Sequence, residues 1–312
     1  MAILRRHAQH GASADPHRHG VRRRRATLTG LLFVSPWILG FLGFYALPTL
    51  AAAFYSFTTY SILRSPRWIG LANFAILFHS HLFWASVWNT AYFTTVSVPL
   101  TLVIAFGLAL LLNMQVRGLP LYRTIFYLPV VVPVVAVAEM WTWLLDPLTG
   151  IVTKLLGFIG IHHLTFFSSP GQAMPTLIAV AQWGVGGAVI IYLAGLQGIA
   201  SHLYEASRID GASWWAQVRW ITIPMMTPVI FFNLILSMIN ALQNFNLPYL
   251  FSNGTGGVLN SLLLYALRLY DYAFVRFQMG LASAMAVLLF GATVLISMLV
   301  FRSARSWVFY NE

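Results

Sequence analysis

Six long apolar stretches, at about 28–57, 85–113, 124–145, 174–198, 223–247 and 278–301, limit what this chain can fold into. A bilayer hydrocarbon core ~30 Å thick is crossed by roughly 20 apolar residues rising ~1.5 Å each, and each stretch meets that length. The predicted fold is all-α: a polytopic membrane protein with six transmembrane helices. Charge content supports this reading. Only 8% of the 312 residues are charged and 59% are hydrophobic, whereas a soluble domain carries roughly 25% charged residues. So few charges cannot cover a surface facing water, and membrane lipid is the expected solvent.

The charges that are present predict sidedness. Of 18 basic residues, seven fall in the first 25, including Arg22 to Arg25. With the N-terminus inside, the tail together with Arg117, Arg123, Arg208, Arg219, Arg302 and Arg305 places 13 basic residues on the cytoplasmic side. Arg64, Arg67, Lys154, Arg268 and Arg276 fall outside. Cytoplasmic loops carry the excess of Lys and Arg, so both termini and the segment 201–222 are predicted to be cytoplasmic. The net charge of +11 then needs no nucleic-acid partner. Residues 1–26 read as a disordered basic tail and residues 27–312 as the six-span domain. The apolar stretch after Arg25 is too long for the core of a cleaved signal peptide and reads as a retained first helix. Four histidines spaced along the tail have no fixed scaffold on which to bind a metal.

Several chemistries are excluded. There is no cysteine, so disulfides and thiolate sites are absent. A phosphate-binding G-x-x-x-x-G-K-[ST] loop needs a lysine followed by Ser or Thr, and the one lysine, Lys154, precedes Leu155. There is no H-E-x-x-H. All nine histidines lie in tails or loops, so a serine–histidine pair at bilayer depth has no candidate. No catalytic residue, metal site or cofactor is expected.

The most informative polar segment is 201–224. Leu203, Ser207 and Asp210 follow helical spacing. Gly211 permits a backbone break that a residue with a Cβ resists. A second short turn over 212–220 puts Trp215 and Val218–Arg219 near one face, before Pro224 opens the next span. Glu205 is placed in the first helical turn, where a carboxylate suits the helix dipole. These residues predict a helix–turn–helix elbow at the membrane surface. Composition alone is also satisfied by a plain interfacial connector with its tryptophans among the headgroups.

Glu205-Ala206-Ser207, then Gly211, then Ile221-x-Ile223-Pro224 resemble the EAA loop of binding-protein-dependent ABC importer permeases. Ser207 stands for the family's second alanine and Ile223 for its leucine. The chain is most similar to the carbohydrate permeases of the maltose and glycerol-phosphate type. Gly70-Leu71-x-Asn73-Phe74, Asn89-Thr90, Tyr122-Arg123-Thr124, Leu193-Ala194-Gly195-Leu196-Gln197 and Gly280-Leu281-Ala282-Ser283-Ala284 extend the likeness over nearly the whole chain. The resemblance implies that the elbow seats in a cleft of a separate cytoplasmic ATPase. Glu205, Ala206, Ser207, Asp210, Gly211, Ala212 and Pro224 would be its coupling residues. It also implies a second homologous permease subunit, two ATP-binding subunits, an extracytoplasmic solute-binding protein and a sugar as cargo.

Span five carries Asn233, Ser237, Asn240 and Asn244 at i, i+4, i+7 and i+11, one helix face. Polar side chains in hydrocarbon usually face the bundle interior or a water-filled cavity. Interhelical hydrogen bonding accounts for such a stripe as well as a sugar path does. In the related maltose permease the matching part of this span lines the sugar pocket, which makes the stripe a candidate substrate path. Gly184 and Gly187 in span four resemble a neighbouring wall that admits ligand, although small residues there also serve helix packing. The alternatives are a permease for another solute, such as a glycerol phosphodiester, and a secondary carrier. The first calls for a cation near the pocket, and spans four and five contain none. The second normally shows coupling charges or an internal repeat, and neither is visible. Glu139 is placed near the outer interface, as a structural carboxylate. Pro129 and Pro133 should bend span three, and the glycine-rich segment 253–257 reads as a mobile external loop.

Overall fold

A computed structural model describes residues 30–62, 64–114, 117–158, 160–161 and 164–309. The basic tail 1–26 lies outside the described residues. The described residues fall into two compact units that divide between Phe54 and Tyr55.

The described part of the first unit belongs to one apolar helix, α1 (Gly30–Tyr55). Phe33, Trp37 and Phe44 stand exposed along it, as in a helix whose partner is hydrocarbon. A π-turn at Leu42–Ala46 immediately precedes Leu47-Pro48. Proline offers no N–H to the helical ladder, and a widened turn absorbs the missing bond.

The second unit is helical, with α2 (Ala72–His79), α3 (His81–Leu112), α4 (Leu119–Val131), α5 (Val134–Leu144), α6 (Ile151–Phe158), α7 (Pro170–Ala181), α8 (Gly186–Gln197), α9 (Ser201–Ile209), α10 (Trp214–Gln217), α11 (Ile223–Leu242), α12 (Asn246–Ser252), α13 (Tyr265–Tyr270) and α14 (Met279–Ala304). Among the described residues there are no strands, only the isolated bridges Thr58↔Trp68 and Ser61↔Arg64. The 32 residues of α3 make a rod ~48 Å long around which the rest packs. Ala105, Ala109 and Leu112 on α3 meet Val189, Tyr192 and Leu196 on α8 and Met226 on α11. Nearer the other end of α3, Phe93 and Val98 pack with Met174 and Leu177 of α7 and Ala241 of α11.

Among the described residues, four helical runs are long and apolar enough to cross a membrane: α1, α3, the run Trp214–Ser252 and α14. The stretches predicted as single spans at 124–145 and 174–198 are instead broken. α4 and α5 meet at 100°, and Pro170–Gly184 meets α8 at 48°. Six crossings are counted when each bent pair is one. The first break follows from Pro133, which drives the residue before it out of the helical region: Val132 is extended at φ −73°, ψ 130°. The second lies where a 3-10 turn over Gln182–Gly184 runs into Gly186-Gly187.

The loops at the N-terminal end of α3 are tied down by named side chains. Asn73 Nδ2 donates to the carbonyls of Ser56 and Thr58, both at 2.8 Å. Asn89 Nδ2 donates to the carbonyls of Asn260 (2.9 Å) and Leu263 (3.1 Å), and Thr90 Oγ1 accepts from the Tyr265 N–H at 2.8 Å. Arg268, 5% exposed, pairs with Asp271 at 2.5 Å and lies over the Tyr272 ring. The glycine-rich segment, read above as mobile, is a packed turn. Asn253, Gly254, Gly256 and Gly257 all take positive φ, and Ser252 Oγ accepts from the Gly256 N–H at 3.2 Å. Asp146, after α5, closes its own turn by accepting from the Thr149 N–H at 2.7 Å, the Thr149 hydroxyl at 2.8 Å and the Leu148 N–H at 2.9 Å. Those donors hold its carboxyl below the usual carboxylate range.

Candidate functional site

Two sites emerge. The first is a cavity of about 430 Å³ between α3, the broken α7–α8 pair and α11. The six residues singled out above, Gly184, Gly187, Asn233, Ser237, Asn240 and Asn244, all line it. The face of α11 is therefore a wall and not only a helix contact. Asn233 is buried, at 2% exposed, and its Nδ2 donates to the Val229 carbonyl at 3.1 Å. Asn244 lies beyond the last turn of α11, where its N–H donates to the Ala241 carbonyl at 3.3 Å.

The glycines of the opposite wall divide by role. A Cβ on Gly186 would stand 2.6 Å from the Phe126 carbonyl and 2.8 Å from Val130 Cγ2, so α4 and α8 approach there as only glycine allows. A Cβ on Gly184 or Gly187 meets nothing within 4 Å. Those two positions open onto the cavity and are not needed for packing. No charged side chain lines the space, and its polar groups are amides and hydroxyls, neutral donors and acceptors.

Three polar residues of this region carried no signal in the sequence reading. Ser97 and Thr101, one turn apart on α3, also line the cavity. Gln182, at the break of the second bent pair, joins them: Thr101 Oγ1 donates to Gln182 Oε1 at 2.8 Å, and Gln182 Nε2 donates to Ser97 Oγ at 3.1 Å. The i, i+4 spacing of Ser97 and Thr101 was the one available cue, and hydroxyls are common enough in apolar helices to make it weak.

The second site is the elbow. α9 ends at Ile209, and Gly211 takes φ +77°. The Gly211 N–H donates to Arg208 O at 3.1 Å and the Ala212 N–H to Ser207 O at 2.9 Å. A Cβ on Gly211 would meet no neighbour, so the backbone conformation alone favours glycine there. Ser213 Oγ then caps α10 by accepting from the Ala216 N–H at 3.3 Å.

The predicted separate second turn before Pro224 is replaced by a continuous run. α10 passes through a π-turn at Val218–Thr222 into α11, and Pro224 sits two residues beyond it, as Pro48 does beyond the π-turn of α1. Trp215 and Arg219, four residues apart, are both exposed, whereas Val218 is buried. Glu205 is the fifth residue of α9, beyond its first turn, so the expected dipole contact is not made.

Ser207 is more than a small substitute for alanine. Its Oγ donates to the Tyr204 carbonyl at 2.8 Å and accepts from Gln217 Nε2 at 3.0 Å. Tyr204 OH and Thr222 Oγ1 lie 3.0 Å apart, so the two legs are tied twice. Glu205, Ala206, Ile209, Asp210 and Gly211 are left exposed, Ala212 is half-buried, and Pro224, also half-buried, stands in the supporting leg. Ile209 is 88% exposed. Arg208 is exposed beside Glu205 and Asp210, so the elbow presents an apolar and charged edge that the described chain does not cover.

Comparison with known proteins follows this geometry. Residues 97–307 match the family described as binding-protein-dependent transport system inner membrane component. The chain is 40% identical over 305 residues, 97% of its length and 98% of the relative's, to the probable ABC transporter permease protein YesP of Bacillus subtilis (strain 168). It is 34% identical to the lactose transport system permease protein LacF of Rhizobium radiobacter, covering 91% of this chain and 96% of that one. Its fold matches a crystal structure of a bacterial ABC transporter involved in the import of the acidic polysaccharide alginate. The TM-score is 0.80 at 25% identity, with 93% and 99% of the two chains covered. With its apolar helices, its elbow and these likenesses, the chain belongs to the family of binding-protein-dependent inner-membrane components and is the permease subunit of an ABC importer.

Proposed function

We propose that this subunit imports an uncharged sugar, with the cavity between α3, α8 and α11 as its share of the solute path. The observation that carries this reading is the lining: amide and hydroxyl groups, an open wall at Gly184 and Gly187, and no charge. A sugar offers hydroxyls that both donate and accept, so neutral partners complement it. An anionic solute would be desolvated there without a countercharge. The lactose permease among the relatives supports the same class of cargo.

In this reading Asn233, Ser237, Asn240 and Asn244 offer hydrogen bonds, while Gly184 and Gly187 leave room. The elbow takes up ATP-driven motion, as a rigid helix docked on a moving partner does. Glu205, Ala206, Asp210, Gly211 and Ala212 lie at or near the docked edge, and Ser207 and Pro224 brace it. ATP is hydrolysed by two separate cytoplasmic subunits, a second homologous permease completes the path, and a solute-binding protein delivers the sugar from outside. Both termini and the elbow are cytoplasmic in this reading, which the excess of Lys and Arg on that side supports.

The test is uptake into proteoliposomes containing the complete importer and its binding protein, using labelled lactose, maltose and an alginate oligosaccharide. Neutral sugar should be taken up, and Ser237→Leu with Asn240→Leu should abolish uptake. Preferred import of the alginate oligosaccharide would overturn the cargo assignment. For the elbow, Glu205→Lys should prevent co-purification of the ATPase, and intact co-purification would sink the coupling role. Because the chain has no cysteine, His202→Cys reports sidedness cleanly: an impermeant thiol reagent should reach it only from the cytoplasmic face.

A further inference from the structure

The amide of Gln182 has one orientation, and that orientation decides what two neighbouring hydroxyls can do. Its Nε2 lies 3.0 Å from the Ile178 carbonyl. A carbonyl only accepts, so the group facing it is the NH2. One NH2 hydrogen goes to Ile178 and the other to Ser97 Oγ at 3.1 Å. The remaining amide atom, Oε1, faces Thr101 Oγ1 at 2.8 Å. Since Oε1 carries no hydrogen, the Thr101 hydroxyl must donate to it.

The consequence is a polarity in the cavity wall. Ser97 has its oxygen engaged as an acceptor, and its own O–H has no acceptor among the described residues. Thr101 has its hydrogen engaged, and only oxygen lone pairs remain. Both residues line the cavity that α11 closes from the other side. The hydroxyls stand one helical turn apart, ~5–6 Å between Cβ atoms. That distance lets one ring of a polyhydroxylated ligand reach both.

We propose that Gln182 is a positioning residue that presents Ser97 as a donor and Thr101 as an acceptor to the passing solute, so that this wall selects uncharged, hydroxylated cargo by the direction of its hydrogen bonds. This rests on the reading of the cavity as part of the solute path. A ligand oxygen facing Ser97 must accept, and one facing Thr101 must carry a hydrogen. A carboxylate or phosphodiester oxygen could satisfy the first but not the second. Gln182 also sits at the break between α7 and α8, so its bonds fix the wall where the backbone is least constrained by helix geometry.

The experiment uses the complete importer with its binding protein in proteoliposomes, with labelled lactose and maltose as probes, and reads sugar delivered per ATP hydrolysed. Ser97→Ala and Thr101→Val should each lower that ratio about five-fold, the factor one net hydrogen bond carries. Thr101→Ser, which keeps the hydroxyl, should restore it. Gln182→Met, similar in size but without the amide, should match the Ser97→Ala/Thr101→Val pair and add nothing to it, because groups in one network are not additive. A wild-type ratio for Gln182→Met overturns the proposal. So does a parallel fall of uptake and hydrolysis that leaves the ratio unchanged, since that marks a structural role.

A second arm is independent of the cargo. Ser97→Cys and Thr101→Cys each provide the chain's single thiol, and a cationic methanethiosulfonate reagent should modify both in the assembled importer. No modification in any nucleotide state overturns the proposal. If wild type imports neither sugar, the cargo assignment fails by itself and thiol accessibility decides whether the wall lies on the path.

Discussion

Gly184, Gly186 and Gly187 lie close together in sequence, yet a methyl group would meet two different surroundings. At Gly186 it collides with the α4 backbone, whereas at Gly184 and Gly187 it enters open space. Gly186→Ala should therefore destabilise the purified complex by about 1–3 kcal/mol, as overpacking does, seen as a lower melting temperature. Gly187→Leu should leave the melting temperature near wild type while reducing uptake, because the added side chain fills the cavity. Gly211 poses the opposite problem, with space around it but φ at +77°. A left-handed residue with a Cβ costs roughly 1–2 kcal/mol, and asparagine tolerates it better than most. Gly211→Asn should keep more ATP-driven uptake than Gly211→Ala, measured at equal amounts of assembled importer.

At the scale of elements, the elbow is stiff because its two legs are bonded to each other and because α10 runs without interruption into α11. The Gln217 side chain, buried between the legs, donates to Ser207 at 3.0 Å. Gln217→Leu removes that bond and leaves the Ser207 oxygen without its donor, at a cost of about 1–3 kcal/mol. The expected result is less uptake per ATP with the ATPase still co-purifying, since the exposed edge at Glu205 and Ile209 is untouched. The spacing of Glu205, Gly211 and Pro224 made the elbow legible in sequence. Its bracing was not legible, because Gln217 looks like any polar loop residue until Ser207 stands opposite it. The bent pairs show the same limit. Pro133 announced a bend, but the 100° angle depends on what α4 and α5 each pack against.

For the second unit as a whole, α3 connects the cavity to the loops around its N-terminal end. Asn89 on α3 serves the carbonyls of Asn260 and Leu263, and Thr90 serves the Tyr265 N–H. Asn89→Leu should leave both carbonyls without that donor and speed amide hydrogen exchange across residues 256–265, with little change in the packed stretch of α3 at 105–112. Unchanged exchange would mean that the glycine-rich turn holds itself.

What the sequence determined by itself is whatever depends on neighbours along the chain. Apolar length set the helices, Pro and Gly set their breaks, and the stripe of Asn233, Ser237, Asn240 and Asn244 set one polar face. Only the tertiary structure decided which residues face that stripe. Gln182 meets Thr101 and Ser97 across 81 and 85 positions of sequence, a separation at which no periodic pattern carries information. Such partners are selected by helix packing, which depends on the shapes of both surfaces at once. The cavity, its neutral lining and the direction of its hydrogen bonds therefore became visible only when α3, α8 and α11 were assembled.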